Sequence, residues 1–285
     1  MYKRQTSHFS PRTRQSLATG AFLRLAIITV LIGSLGAIAA ATIASGDVER
    51  PMTSTVFAGA GDINAVVTQY REALGGPDNG GQPGTILPGY REFNWDSVPD
   101  EFAAPNFLPG DFFNGTAEPL ARGAILSTPG DGVQVSADSD NPTNTPVRFG
   151  HVNPTYPARF KTFSDERLFS PIGSNIVDLT FTVPGTQTPA LVDGFGAVYT
   201  DVGTRKTSFR YYDRQGRLLG TFKVPKSQNG LSFLGVKFDS PVIARVRIKY
   251  GTARLGPNDS STKDVAVMDN FIYGEPVAAS SVAGE

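Results

Sequence analysis

The chain has 285 residues and no cysteine. Thiolate catalysis, cysteine-bound zinc and disulfide staples are therefore excluded. Histidine is nearly as scarce, with only His8 and His151. A histidine cluster for zinc has no basis. A Ser-His-Asp triad would have to use His151, whose neighbours Gly150 and Asn153-Pro154 read as a turn. The sequence holds no Gly-x-Ser-x-Gly elbow, no His-Glu-x-x-His pair, and no glycine-rich phosphate loop that follows a strand and opens a helix. Acidic residues are absent from the first 46 positions, which hold five of the 26 basic residues; residues 47–285 keep 21 basic against 26 acidic. A chain with that balance lacks the basic excess of a nucleic-acid binder, so no nucleic-acid partner is expected.

The acid-free beginning has a pattern of its own. Lys3, Arg4, Arg12, Arg14 and Arg24 precede an uncharged stretch from Leu25 to Gly46. Small residues at Ala39-Ala40-Ala41 and Thr42-Ile43-Ala44 suit a signal-peptidase site, and about 20 apolar residues also suffice to span a bilayer. Residues 1–46 are expected to be a signal peptide or an N-terminal membrane anchor. The protein is then secreted or held in the cell envelope, touching the membrane only through this segment.

Glycine (31) and proline (21) are plentiful, as short strands joined by tight turns require. Residues 47–89 are expected to be a flexible lead-in, one helix and a Gly/Pro-rich loop. Ile63, Val66, Val67, Tyr70 and Leu74 form one apolar stripe, and Gly75-Gly76 ends it. From residue 90 to 276 the period changes to two. Val177, Leu179, Phe181 and Val183 alternate with Asp178, Thr180 and Thr182; Ala244, Val246, Ile248 and Tyr250 alternate with Arg245, Arg247 and Lys249. Further strands are expected near 124–127, 133–136, 194–201, 207–212, 218–224, 231–239 and 265–272, with Asp213-Arg-Gln-Gly216 as a hairpin turn. The expected fold is an all-β, antiparallel, jelly-roll-like β-sandwich with one short N-terminal amphipathic helix. Residues 277–285, small and polar, are expected to be a disordered tail.

Five segments carry a resemblance: Phe93-Asn-Trp-Asp-Ser-Val-Pro-Asp100, Pro105-Asn-Phe-Leu-Pro-Gly-Asp-Phe-Phe-Asn114, Gly194-Phe-Gly-Ala-Val-Tyr-Thr-Asp201, Leu231-Ser-Phe-Leu-Gly-Val-Lys-Phe238 and Val267-Met-Asp-Asn-Phe-Ile-Tyr-Gly-Glu-Pro276. With these the chain resembles uncharacterised exported bacterial jelly-roll proteins, similar to the extracellular domains of PEP-CTERM-type proteins. The end of the chain departs from that sorting signal: it has no Pro-Glu-Pro motif, apolar helix and basic tail. The resemblance implies a structural calcium, held by the first strand and by an acidic pair in the last. The corresponding residues are Asp96, Asp201, Asp269 and Asn270. Calcium takes six to eight oxygens, so these would have to converge; the alternative is that they cap turns, as most loop aspartates do.

A glycan-binding role needs exposed aromatic rings. Trp95, Tyr199 and Tyr212 are the ligand-contacting residues expected here, with Tyr156, Tyr211 and Tyr273 as further rings of the right type; for Trp95 the competing role is a core residue. Arg245, Arg247 and Lys249 suit an anionic polysaccharide, or merely form a solvated strand face. A hydrolase would need a carboxylate pair, such as Asp96 with Glu92 or Asp100. No catalytic residues are assigned. The expected function is an extracellular or cell-envelope binding module for polysaccharide, with a structural surface or matrix protein and a glycan-active hydrolase as alternatives.

Overall fold

The computed structural model describes residues 53–282 apart from 259 and 261; the leader expected at 1–46 and residues 283–285 lie outside them. The elements, in chain order, are β1 (Ser54–Ala60), α1 (Asn64–Leu74), β2 (Tyr90–Phe93), β3 (Ala124–Ser127), β4 (Gly132–Val135), α2 (Tyr156–Arg159), β5 (Phe169–Ile172), β6 (Ile176–Phe181), β7 (Ala190–Leu191), β8 (Gly194–Val202), β9 (Ser208–Tyr212), β10 (Leu218–Lys223), β11 (Ser227–Phe238), β12 (Arg245–Lys249), β13 (Val267–Gly274) and β14 (Val277–Ala278). One sheet runs β1-β11-β8-β13-β5-β4, with β2 also on β13; a second runs β10-β9-β12-β6-β3. The pairs within them are antiparallel, and the two sheets form a sandwich-like all-β arrangement.

The alternating strands put their apolar half between the sheets. Val177, Leu179 and Phe181 of β6 and Val246 and Ile248 of β12 join one buried cluster with Phe195, Tyr199, Leu234 and Phe271 from the other sheet. The strand β8 does not alternate in burial, because both its faces are covered. The second cover is α1, which buries Val67, Tyr70 and Leu74. Its Tyr70 ring lies directly on Gly196 and Gly235: a Cβ at either position would come within 2.8 and 2.7 Å of ring carbons. Glycine is needed there because only a bare backbone admits the ring so close.

Two loops complete the sandwich. The segment Pro105–Asn114 closes the side where β3 and β4 are the outermost strands. Leu108 N–H donates to Val133 C=O at 2.9 Å and Leu126 N–H to Gly110 C=O at 2.7 Å, so this loop serves both sheets. The second fastening is Arg91 on β2, whose side chain is fully buried with that of Glu275 after β13. The guanidinium donates to both Glu275 oxygens and to the carbonyls of Gly80, Gln82, Gly84 and Ala121. It draws the glycine-rich loop after α1 onto the end of the last long strand.

Two expectations fail at the ends. The lead-in is not flexible throughout: Ser54–Ala60 pairs residue by residue with β11. Its small residues gave no alternation, and the partner strand lies far along the chain. Nor is the tail disordered from 277: Val277 and Ala278 pair with Leu191 and Ala190, and Ala279 N–H donates to Pro189 C=O at 2.9 Å. Backbone pairing, which side-chain character does not announce, holds it.

Candidate functional site

Two of the three expected sugar-stacking rings are placed where no ligand can reach them. Trp95 is fully buried, stacked on Phe169 at 4.3 Å and edge-on to Phe93, Phe113 and Phe271, with its indole N–H donating to Asp269 C=O at 2.8 Å. Tyr199 is fully buried against Phe209 and Tyr250. The correction has one cause: a large ring gains most from complete removal from water, and both sit where the sheets face each other. Tyr156, Tyr211 and Tyr273 are buried too. Tyr212, the third expected residue, is half-buried.

The four expected calcium ligands each have hydrogen-bond partners of their own. Asp96 accepts the backbone N–H groups of Glu166 and Arg167 at 3.0 and 2.9 Å. Asp269 accepts those of Phe163 and Ser164 and the Ser164 hydroxyl. These two carboxylates lie close enough to repel, but each is turned to amide donors of the loop that crosses over them. Asp201 accepts the Asn229 N–H at 2.7 Å, and Asn270 donates its amide to Glu92 at 2.7 Å. Among the described residues, no group of three or more His, Asp or Glu side chains is arranged to hold a metal. Amide and hydroxyl donors occupy both oxygens of Asp269, whereas Asp96 Oδ2 and Asn270 Oδ1 are buried without a hydrogen-bond partner. The aspartates fasten loops.

Burial, opposed by the hydrogen bonds from Phe163 and Ser164, pushes the Asp269 carboxyl up to about 7; the Asp96 charge adds to the rise. The folded value lies above the ordinary 3.8, so the folded state holds the proton more tightly. The stability this contributes is complete below about pH 4 and is lost as pH rises through 7. Comparing urea midpoints of wild type and Asp269→Asn from pH 4 to 8 checks this. The wild type should lose stability relative to the variant as pH rises, by a few kcal/mol in order of magnitude. Parallel curves would contradict it.

A cluster of accessible positive charge lies on the outer face of the second sheet. Register fixes it. Across one row Lys223, Ser208, Lys249 and Ile176 stand side by side; across the next, Thr221, Arg210, Arg247 and Asp178; across the third, Leu218, Tyr212, Arg245 and Thr180. The apolar residues between them, Phe209, Tyr211, Val246 and Ile248, point into the core, so the polar half of each strand must face out. Arg247 grips Asp178 with two hydrogen bonds, at 2.9 and 2.7 Å, and Arg245 adds a third at 3.1 Å. The Arg245 guanidinium also lies 4.0 Å from the centre of the Tyr212 ring. Asp178 thus holds two of the arginines in fixed orientations.

The remaining cations have no such partner. Arg210 and Lys249 are exposed, and with Ile176, Ser208 and Arg247 they line a depression of about 150 Å³. A separate hollow of about 410 Å³ is lined by Lys223, Arg205, Val224, Pro225 and Lys226. Among the described residues none of Arg205, Arg210, Lys223, Lys226 and Lys249 is paired with a carboxylate. Arg210 directly opposes Arg247, a like-charge cross-strand pair that costs stability. The strand pattern of 245–249 announced three members of this face. Arg210, Lys223 and the placing of Tyr212 were missed, because they arrive by pairing with β9 and β10. An acidic hollow of about 400 Å³, lined by Asp96, Asp138, Asp140, Asp165, Glu166 and Arg167, contrasts with it.

No protein-family model matches the chain, and no curated protein matches it. A solved structure with some likeness is the enzymatically active domain of tailspike protein 4 of bacteriophage CBA120, 15% identical, covering 60% of this chain and 19% of that one. The TM-score is 0.21, too low for the likeness to bear on fold or ligand.

Proposed function

We propose that this protein is an extracytoplasmic binding module of jelly-roll type, like the exported proteins it resembles, and that its ligand is an acidic polysaccharide. The observation that carries the reading is the cation cluster of the outer sheet face: Arg210, Lys249 and Lys223 without carboxylate partners, beside Arg245 and Arg247 held by Asp178. A sheet face is broad and flat, which suits a polymer lying across it rather than a small molecule in a pocket. Fixed guanidinium forks recognise carboxylates in two-point fashion. Residues 47–285 are acidic in sum, so the face is a local attraction within a repelling surface, a device that confers selectivity for where a polyanion docks. Binding is favoured over hydrolysis because the face holds one carboxylate, Asp178, tied to two arginines, whereas glycoside cleavage needs two.

The test is affinity electrophoresis through gels containing a polyuronate, a neutral glucan or no polymer, at low and high salt. Retardation only by the polyuronate, weakened by salt, is the expected result. Equal migration in all gels would refute the reading. The Asp178→Asn variant should bind several-fold more tightly, since Arg245 and Arg247 lose an internal competitor for their hydrogen bonds. Weaker binding by that variant would instead show that Asp178 is needed to hold the forks in place.

A further inference from the structure

A sandwich of open sheets has edges, and an edge offers unpaired N–H and C=O groups to any passing strand. Three of the four edges here are managed. The β4 edge is covered by residues 103–108, with Ala104 N–H donating to Val135 C=O at 2.8 Å and Leu108 N–H to Val133 C=O at 2.9 Å. The β3 edge is covered by Gly110 and Phe113, whose carbonyls accept from Leu126 and Ala124. The β10 edge is broken by a bulge between Leu218 and Gly220 and ends in Lys223. Among the described residues, only β1 has none of these devices. Its sequence, Ser-Thr-Val-Phe-Ala-Gly-Ala, contains no charge and no proline, and its seven residues pair with β11 without a register shift.

The direction of its free groups follows from the ladder. Gly61 N–H donates to Leu231 C=O at 2.9 Å, one step beyond the Ala60–Ser232 pair. Backbone groups alternate along an antiparallel strand. The N–H and C=O of Ser54, Val56, Ala58 and Ala60 therefore point away from β11, toward the open side. Val56 is also 48% exposed, a large apolar side chain left in water at the rim of the sandwich.

We propose that the β1 edge pairs with the β1 edge of a second copy of this chain, joining the two larger sheets into one. The occupant is argued from side-chain size. With Phe57 opposite the partner's Phe57, antiparallel pairing sets Val56 against Ala58, Thr55 against Gly59 and Ser54 against Ala60. On either side of the central Phe57 pair a larger residue meets a smaller one, Val56 against Ala58 and Thr55 against Gly59, and Val56 and Ala58 exchange main-chain hydrogen bonds. Phe57 already packs against Tyr70 at 5.4 Å, so the new pair extends an existing apolar surface under α1. A two-fold axis normal to the sheet keeps both basic faces on one side, where a single long polyanion would meet two sites. This last consequence rests on the binding role proposed above; the dimer does not.

The cysteine-free chain makes the register testable in the full-length protein. An equimolar mixture of the Val56→Cys and Ala58→Cys variants should form a disulfide dimer under mild oxidation, since directly opposed residues fall within disulfide reach. Each variant alone, or Val56→Cys with Ser281→Cys, should cross-link at least 10-fold more slowly. Sedimentation should give a dimer mass for the wild type and a monomer mass for Val56→Lys/Ala58→Lys, with the melting temperature of that variant showing that it is folded. A monomeric wild type, a dimer that survives the two lysines, or cross-linking no faster in the mixture than in the controls would overturn the proposal. Polyuronate binding by a monomeric wild type would leave the binding face standing and the dimer refuted.

Discussion

Replacing Arg91 with methionine should cost about 3–5 kcal/mol of stability, the range for breaking a buried ion pair. The volume is nearly kept, so the loss is electrostatic. Glu275, 1% exposed at its side chain, would retain only Asn79 and the Ile86 N–H as donors. Four backbone carbonyls would lose their guanidinium donors in the same step. For a chain of this size the melting temperature should fall by roughly 10 °C. The double variant Arg91→Met/Glu275→Met should recover part of the loss, because it removes the orphaned charge but leaves the carbonyls unsatisfied. Thermal melts of the three proteins measure both effects. A loss below about 1 kcal/mol for the single variant would mean that water replaces the guanidinium, and that the clasp is not what holds the 79–86 loop.

Arg210→Glu/Lys249→Glu should lower polyuronate affinity by about 100-fold while leaving the fold intact. Both residues are exposed, and surface substitutions of this kind usually change stability by no more than about 0.5 kcal/mol. The new carboxylates would face Arg247 and Lys223 and cancel the attraction that draws the polymer in. Like charges set against the ligand would add repulsion to the lost contacts. Arg245 and Arg247 also bind Asp178, so changing them would disturb the face itself. A melting curve with a binding isotherm for the same sample separates the two effects. Unchanged affinity would remove the outer sheet face from the account.

The legible parts of the sequence are those where one strand face is dry and the other wet. Strands β6 and β12 alternate in sequence and in the fold, so their cations and Asp178 could be assigned to one side in advance. Strands β8 and β13 are buried on both faces, and their residues read as strand without saying which way each points. The tyrosine at 199 was for that reason as good a surface residue as a core one until α1 and the second sheet were in place. Gly196 and Gly235 make room for Tyr70, a relation spread over 166 residues between Tyr70 and the Val236 carbonyl its hydroxyl reaches. Asp96 follows β2 and Asp269 lies on β13, two strands that pair. Their partners are amides of residues 163–167, a loop whose course no local pattern reveals. The basic face shows the same limit. Three of its cations share a strand; the others are brought there by register.

The most direct test of the central claim is lysine footprinting with an acylating reagent, with and without a polyuronate. The account predicts that Lys223, Lys226 and Lys249 become protected together, while Lys161 and Lys263, which line neither basic hollow, react as before. Protection spread evenly over all five lysines, or confined to Lys161 and Lys263, would contradict it.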